Sequence, residues 1–120
     1  MVMTKVLFND ECKAKLIEGV NLVTDAVKVT YGPNASNVCI KTPSSVKITK
    51  DGATTCKAVT HDDPYVQMGI DLVRDISVKT ASNVGDGSST VCILTRAIVE
   101  KFKNYKNPIL LTLARIFSKI

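Results

Sequence analysis

The sequence predicts a mainly α-helical chain that carries one small β-hairpin, and three observations predict it. Apolar residues recur at spacings of three and four in three separate stretches, which is the mark of a helical stripe. Two short β-branched runs flank Pro43-Ser44-Ser45 and read as paired strands. Asp-Pro and Gly-rich breaks stand where helices should start and stop.

The elements follow in chain order. Lys5-Val6-Leu7-Phe8 suits a short edge strand. Asn9 is a good helix N-cap, and Asp10 and Glu11 put negative charge in a first turn, where the helix dipole favours it. Cys12, Leu16, Val20, Val23 and Val27 then share one helical face. That helix should stop near Gly32-Pro33, because Gly accepts the left-handed C-terminal conformation and Pro cannot continue a helix. Asn37 to Thr42 and Val46 to Thr49 make the hairpin, spanning 37–49, with Pro43-Ser44-Ser45 as its turn. Lys50-Asp51-Gly52 breaks it, and a short helix is expected from Ala53 to Val59. Asp63 caps the next helix and Pro64 takes its first position. Val66, Ile70, Val73, Ser77, Ala81 and Val84 give that helix its face. Gly85-Asp86-Gly87 intervenes, and a new helix opens at Ser88, with a stripe of Val91, Leu94, Ile98, Phe102 and Tyr105. Asn107-Pro108 ends it, and Ile109 to Ile120 suits one further helix, apolar and basic.

Composition bounds the function. At 120 residues and 13.0 kDa the chain is one small domain or a piece of a larger one. It is 45% apolar and 22% charged, close to the globular average, which argues against wholesale disorder. No apolar run is long enough to span a membrane. The start, Met1-Val2-Met3-Thr4-Lys5, has neither an apolar signal core nor transit-peptide character, so the expected location is the cytoplasm. Residues 1–95 hold ten basic and ten acidic side chains, and residues 96–120 hold six basic ones against Glu100 alone, so the whole +5 lies in the last fifth. A basic end could meet nucleic acid. No RGG repeat, basic-aromatic interleaving or zinc spacing supports that, and it reads as the wet face of a C-terminal helix. Cys12, Cys39, Cys56 and Cys92 form no CxxC pair and have only His61 to join them, a poor set for zinc. All four are expected to be buried or half-buried apolar residues, and His61 to be a solvated loop residue.

Three glycine breaks could carry chemistry: Thr30-Tyr31-Gly32-Pro33, Lys50-Asp51-Gly52 and Gly85-Asp86-Gly87-Ser88-Ser89-Thr90. The third exposes free backbone N–H groups at the positive end of a helix, a ready site for phosphate. Ser88, Ser89 and Thr90 add hydroxyl donors. Asp86 would repel a bare phosphate but holds one through Mg2+. Asp51 is a second hard carboxylate, suited to orienting a metal or an attacking water. Each break also has a plainer reading, as a helix cap or a turn, and the third is not a Walker A loop because GK[ST] is missing.

Taken together and in this order, Asp25 to Pro33, Ile48 to Gly52 and Gly85 to Thr90 resemble the N-terminal part of a group I chaperonin, the bacterial and organellar type. Phe8-Asn9-Asp10, Gly19-Val20-Asn21, Asn37-Val38, Met68-Gly69 and Asn107-Pro108 fall at the family's places too, so the likeness covers about residues 4 to 110. The fold it implies is a partial equatorial domain, a helical bundle plus edge strands, over residues 1–120 as a single unit, with 109–120 a divergent tail. The cofactors it implies are ATP, Mg2+ and K+. The segment matching Thr30, Tyr31, Gly32 and Pro33 packs against base and phosphates. By the same resemblance, Lys50, Asp51 and Gly52 are expected at the phosphates, with Asp51 the catalytic residue that helps position water. Asp86, Gly87, Ser88, Ser89 and Thr90 are expected to wrap the phosphates, with Asp86 on Mg2+, and backbone carbonyls of Thr30 and Lys50 to hold K+ in part.

The sequence departs from the family in places. Tyr31 stands where Leu or Met is usual, Asn34-Ala35 replaces Lys-Gly, Ser88-Ser89 replaces Thr-Thr, and the likeness fades after Leu111. Family members are several times longer. Their apical and intermediate domains, the intermediate-domain Asp that is the main activator of water, and the C-terminal helices of the pocket have no counterpart here. Two expectations follow. The first is an ATP-binding N-terminal part of a ring chaperonin that assists folding of unfolded polypeptides, nearly inactive by itself, joined to other chaperonin subunits through the N-terminal strand and hairpin 37–49. The second is a non-hydrolysing paralogue that binds or modulates a complete ring. Either way, a helix face such as Leu94, Ile98 and Phe102 should be left without partners, an exposed apolar patch.

Overall fold

A Pro after a capping Asp pre-sets the first helical turn, and a left-handed Gly ends a helix where its last carbonyls need donors. Both devices operate in the computed structural model, which describes residues 9–102. Helix α1 (Asn9–Lys28) is followed by strands β1 (Val38–Lys41) and β2 (Val46–Thr49), then helices α2 (Gly52–Ala58), α3 (Pro64–Val84) and α4 (Ser88–Phe102). At the start of α3 the Asp63 side chain accepts from Tyr65 N at 2.9 Å, with Pro64 next in the chain. At its end Gly85 takes φ 82° and its N–H donates to the Ala81 carbonyl. The predicted class, mainly helical with one hairpin, is the one observed.

Helices α1 and α3 approach backbone to backbone, and two glycines permit it. A Cβ built on Gly19 would run into the Val66 carbonyl oxygen and lie 2.8 Å from Ile70 N and 2.9 Å from Gly69 Cα. A Cβ on Gly69 would run into the Leu16 carbonyl oxygen and lie 3.0 Å from the Leu16 carbonyl carbon. Backbone therefore touches backbone. Lys15 Nζ reaches Asp63 Oδ2 at 2.8 Å across the same pair of helices.

The core is small and β-branched. Val20, Val23 and Val27 of α1 meet Val66, Ile70 and Val73 of α3, with Cys56 of α2 and Cys92 of α4 closing the cluster. Burying each Val or Ile contributes about 1.5–3 kcal/mol. Two of its buried hydroxyls find backbone partners, Thr24 Oγ1 on the Cys92 carbonyl at 3.5 Å and Thr55 Oγ1 on the Asp51 carbonyl at 2.9 Å, while Ser77 Oγ finds none. The hairpin is antiparallel, with Val38 opposite Thr49 and Lys41 opposite Val46.

Several expectations need correcting. Helix α1 ends at Lys28, four residues before Gly32, because the Thr30 hydroxyl donates to the Val27 carbonyl at 2.6 Å and the chain turns there. Val84 is 75% exposed, since the α3 stripe outruns the body it packs on. Of the α4 stripe, Val91 is half-buried and Leu94 and Ile98 face outward, while the Phe102 side chain and Tyr105 lie outside what is described. Leu94 and Ile98 are 55% and 59% exposed, and Cys92 is the buried residue instead. The inward face of α4 is chosen by Cys92 in the core and by Arg96 pairing with Asp25 of α1. The uncovered Leu94/Ile98 face was itself expected. Cys39 is exposed, because it shares the outer hairpin face with its cross-strand partner Ile48, which is exposed as well. Helix α2 starts at Gly52 and ends at Ala58, one residue earlier at each end than expected. The strand expected at Lys5 to Phe8, the stop at Asn107-Pro108 and the helix at Ile109 to Ile120 lie outside the described residues.

Candidate functional site

Three loops that are far apart in the chain meet at one point, and that point is Gly52. A Cβ there would run into Ser89 Oγ and would lie 3.2 Å from Ser89 Cβ and 3.5 Å from Thr30 Oγ1. The loop after α1, the loop before α2 and the loop before α4 therefore pack through Thr30, Gly52 and Ser89.

Each loop is held by its own chemistry. After α1, Thr30 N donates to the Val27 carbonyl and Tyr31 N to the Lys28 carbonyl, and Gly32 then takes φ 88°. Before α2, the Thr49 hydroxyl accepts from Asp51 N at 3.0 Å, and Asp51 becomes the N-cap. Its Oδ2 accepts from Thr54 N at 2.9 Å and from Thr54 Oγ1 at 2.5 Å. Those bonds, the hydroxyl's first, hold the exposed Asp51 carboxyl below the ordinary carboxylate range. Before α4, Gly85 and Gly87 both adopt left-handed φ values, 82° and 84°, and Asp86 Oδ1 accepts from Gly87 N at 2.7 Å. The turn delivers the first turn of α4 to the surface with Ser88, Ser89 and Thr90 on it. Among the described residues, none of these three hydroxyls has a hydrogen-bond partner.

The geometry brings together one residue from each of the three breaks singled out by sequence. Thr30, Gly52 and Ser89 are in contact, while Lys50, Asp51, Gly87, Ser88 and Thr90 flank them in the chain. Asp51 and Asp86 are both solvent-exposed. Tyr31, Gly32 and Pro33 are exposed on the first loop, and a Cβ on Gly32 would meet nothing within 4 Å. An open groove of about 490 Å3 lies elsewhere, along α1 between Ala14 and Asp25, and no loop residue lines it. Thr54 was not picked out by sequence. The Asp-x-x-Thr spacing of a capped helix was the signal that could have found it.

The donor set suits a nucleotide with its cations. A helix N-terminus with free hydroxyls takes phosphate oxygens. Two exposed carboxylates take a hard divalent ion or a water. Among the described residues, neither the Thr30 nor the Lys50 carbonyl accepts a hydrogen bond, so both are available to a monovalent cation. Gly52 leaves no side chain where the three loops meet.

The model of the TCP-1/cpn60 chaperonin family matches residues 23–110. The chain belongs to that family. Two solved structures of the chaperonin gp146 from bacteriophage EL 2 (Pseudomonas aeruginosa), both in the presence of ATP-BeFx, are similar to it. One aligns at TM-score 0.74 and 31% identity over 80% of this chain, the other at TM-score 0.76 and 30% identity over 82%. In each case the alignment takes in 18% of the gp146 chain, so this chaperonin chain spans a small part of the length of those proteins. The matched region contains all three loops.

Proposed function

We propose that the three loops are the nucleotide site of a chaperonin equatorial domain and bind ATP with Mg2+. The observation that carries this reading is the meeting of Thr30, Gly52 and Ser89 at a point where no Cβ fits. In this reading Ser88, Ser89 and Thr90, with the first N–H groups of α4, hold phosphate oxygens. Asp86 holds Mg2+, which supplies charge neutralisation at the phosphates. The Thr30 and Lys50 carbonyls hold K+, and the wall of the pocket is Tyr31, Gly32 and Pro33. Asp51, pinned by Thr54 and anionic at neutral pH, is the catalytic residue that orients water. In the assembled chaperonin this site would drive ATP-dependent folding of unfolded polypeptides in a ring of subunits.

A second reading concerns partners. The outer face of the hairpin carries Val46 and Ile48 at 66% and 64% exposure, so a neighbouring chaperonin subunit is the natural cover for 37–49, whether this chain drives a ring or modulates one. Thermal unfolding tests the nucleotide reading. ATP with Mg2+ should raise the melting temperature in a concentration-dependent way, because a ligand that binds only the folded state stabilises it by mass action. Mg2+ alone should not. Identical melting curves up to saturating ATP and Mg2+ would refute the reading.

A further inference from the structure

Directly beneath the loop cluster, three helices bring three small side chains together. Cys56 of α2, Ser77 of α3 and Cys92 of α4 are all completely shielded from solvent. The two thiols lie against each other, with Ser77 beside both. Both cysteines are free. Ser77 Oγ is buried without a hydrogen-bond partner, and so is Arg74 Nε, one turn earlier on α3. A buried hydroxyl with only two thiols beside it is unusual in a core, and Arg74 lies on the Cys56 side of the pair. The contact with Cys92, then burial, push the Cys56 thiol up, and the same contact holds the Cys92 thiol down, so the pair shares a proton at neutral pH and it is the exclusion of solvent that keeps reagents away while the helices stay packed.

Position gives the pair its consequence. Cys56 lies one helical turn beyond Gly52, and Cys92 lies about one turn beyond Ser89. We propose that Cys56 and Cys92 are a redox-modifiable pair that closes a disulfide, stapling α2 to α4 one turn below the Gly52–Ser89 contact. The oxidant is a low-molecular-weight disulfide. During local opening one cysteine loses its proton and attacks that disulfide, forming a mixed disulfide and releasing one small thiolate, which takes up a proton. The second cysteine then loses its proton and attacks the protein sulfur of the mixed disulfide. The Cys56–Cys92 bond forms and the second small thiol leaves. The protein gives up two electrons and two protons, and the small disulfide gains both.

The test uses the full chain carrying Cys12→Ser and Cys39→Ser, so that the buried pair alone remains. It is equilibrated with oxidised glutathione, alkylated, and cut with trypsin without reduction. Cleavage after Lys50, Lys57, Lys79 and Arg96 puts Cys56 in peptide 51–57 and Cys92 in peptide 80–96. The expected result is those two peptides joined by a bond that dithiothreitol breaks, and a chain that melts about 5 °C or more above its reduced form. The equilibration is repeated just below the melting temperature, where opening is frequent and access does not limit the reaction. Glutathione on either cysteine without the joined peptide, or two alkylated thiols at both temperatures, would overturn the proposal. A linked chain that melts below the reduced one would overturn it equally.

Discussion

Ser89 Oγ occupies the space that a Cβ on residue 52 would need. Residues 37 positions apart in the chain thus fit together only because one of them has no side chain. The contact joins the N-terminal end of α2 to that of α4. Gly52→Ala should cost about 1–3 kcal/mol in urea unfolding, because Ser89 must move or the helices must part. Adding Ser89→Ala should recover part of the loss, as the hydroxyl is the nearer obstacle and Ser89 Cβ, at 3.2 Å, the lesser one. Strict additivity in this double-mutant cycle would argue against the contact.

Gly19 and Gly69 make a sharper case, because the obstacles are backbone atoms that no rotamer change can move. Gly19→Ala and Gly69→Ala should each cost about 3 kcal/mol or more, at or above the upper end of ordinary overpacking. Urea midpoints measure this. An alanine tolerated at both sites would mean that α1 and α3 do not approach so closely.

Thr54 makes a prediction about pH. Its hydroxyl and N–H hold the Asp51 carboxyl below the usual carboxylate range. A carboxyl depressed in the folded state contributes stability that is present above its unfolded value, about 3.9, and is lost as pH falls through the folded value. Thr54→Val removes the hydroxyl donor and raises the folded value toward ordinary. The variant should therefore melt below the native chain at pH 7, and the gap should narrow as pH falls below about 4. A gap that stays constant down to the acid limit would place the loss in packing rather than in the carboxylate.

Leu94 and Ile98 test the outward face of α4. Both are more than half exposed, so Leu94→Gln and Ile98→Gln should each change stability by no more than about 0.5 kcal/mol. They should also reduce self-association in sedimentation velocity, if that face is what brings chains together.

The sequence made some of this legible and hid the rest. The limits of α3 were readable because Asp63-Pro64 and Gly85 act locally, through one cap and one left-handed residue. The hairpin was readable because its turn lies between two β-branched runs. The inward face of α4 was not, because that helix is apolar on more than one side and only its long-range contacts with the other helices choose between Cys92 and Leu94. The early end of α1 was hidden for a similar reason, since Gly32-Pro33 is the louder signal and Thr30 acts first. The loop residues were recognised as a set by resemblance. Their convergence on Gly52 is a long-range fact that no local pattern contains.

The most direct test of the central claim is calorimetric titration of ATP into the chain, with and without Mg2+, beside an Asp86→Ala variant of equal helicity. The account predicts saturable binding that needs Mg2+ and that weakens at least about tenfold in the variant, since one lost charged contact is worth about 1.5–3 kcal/mol. Binding that ignores both Mg2+ and Asp86, or no heat of binding from a folded chain, would contradict it.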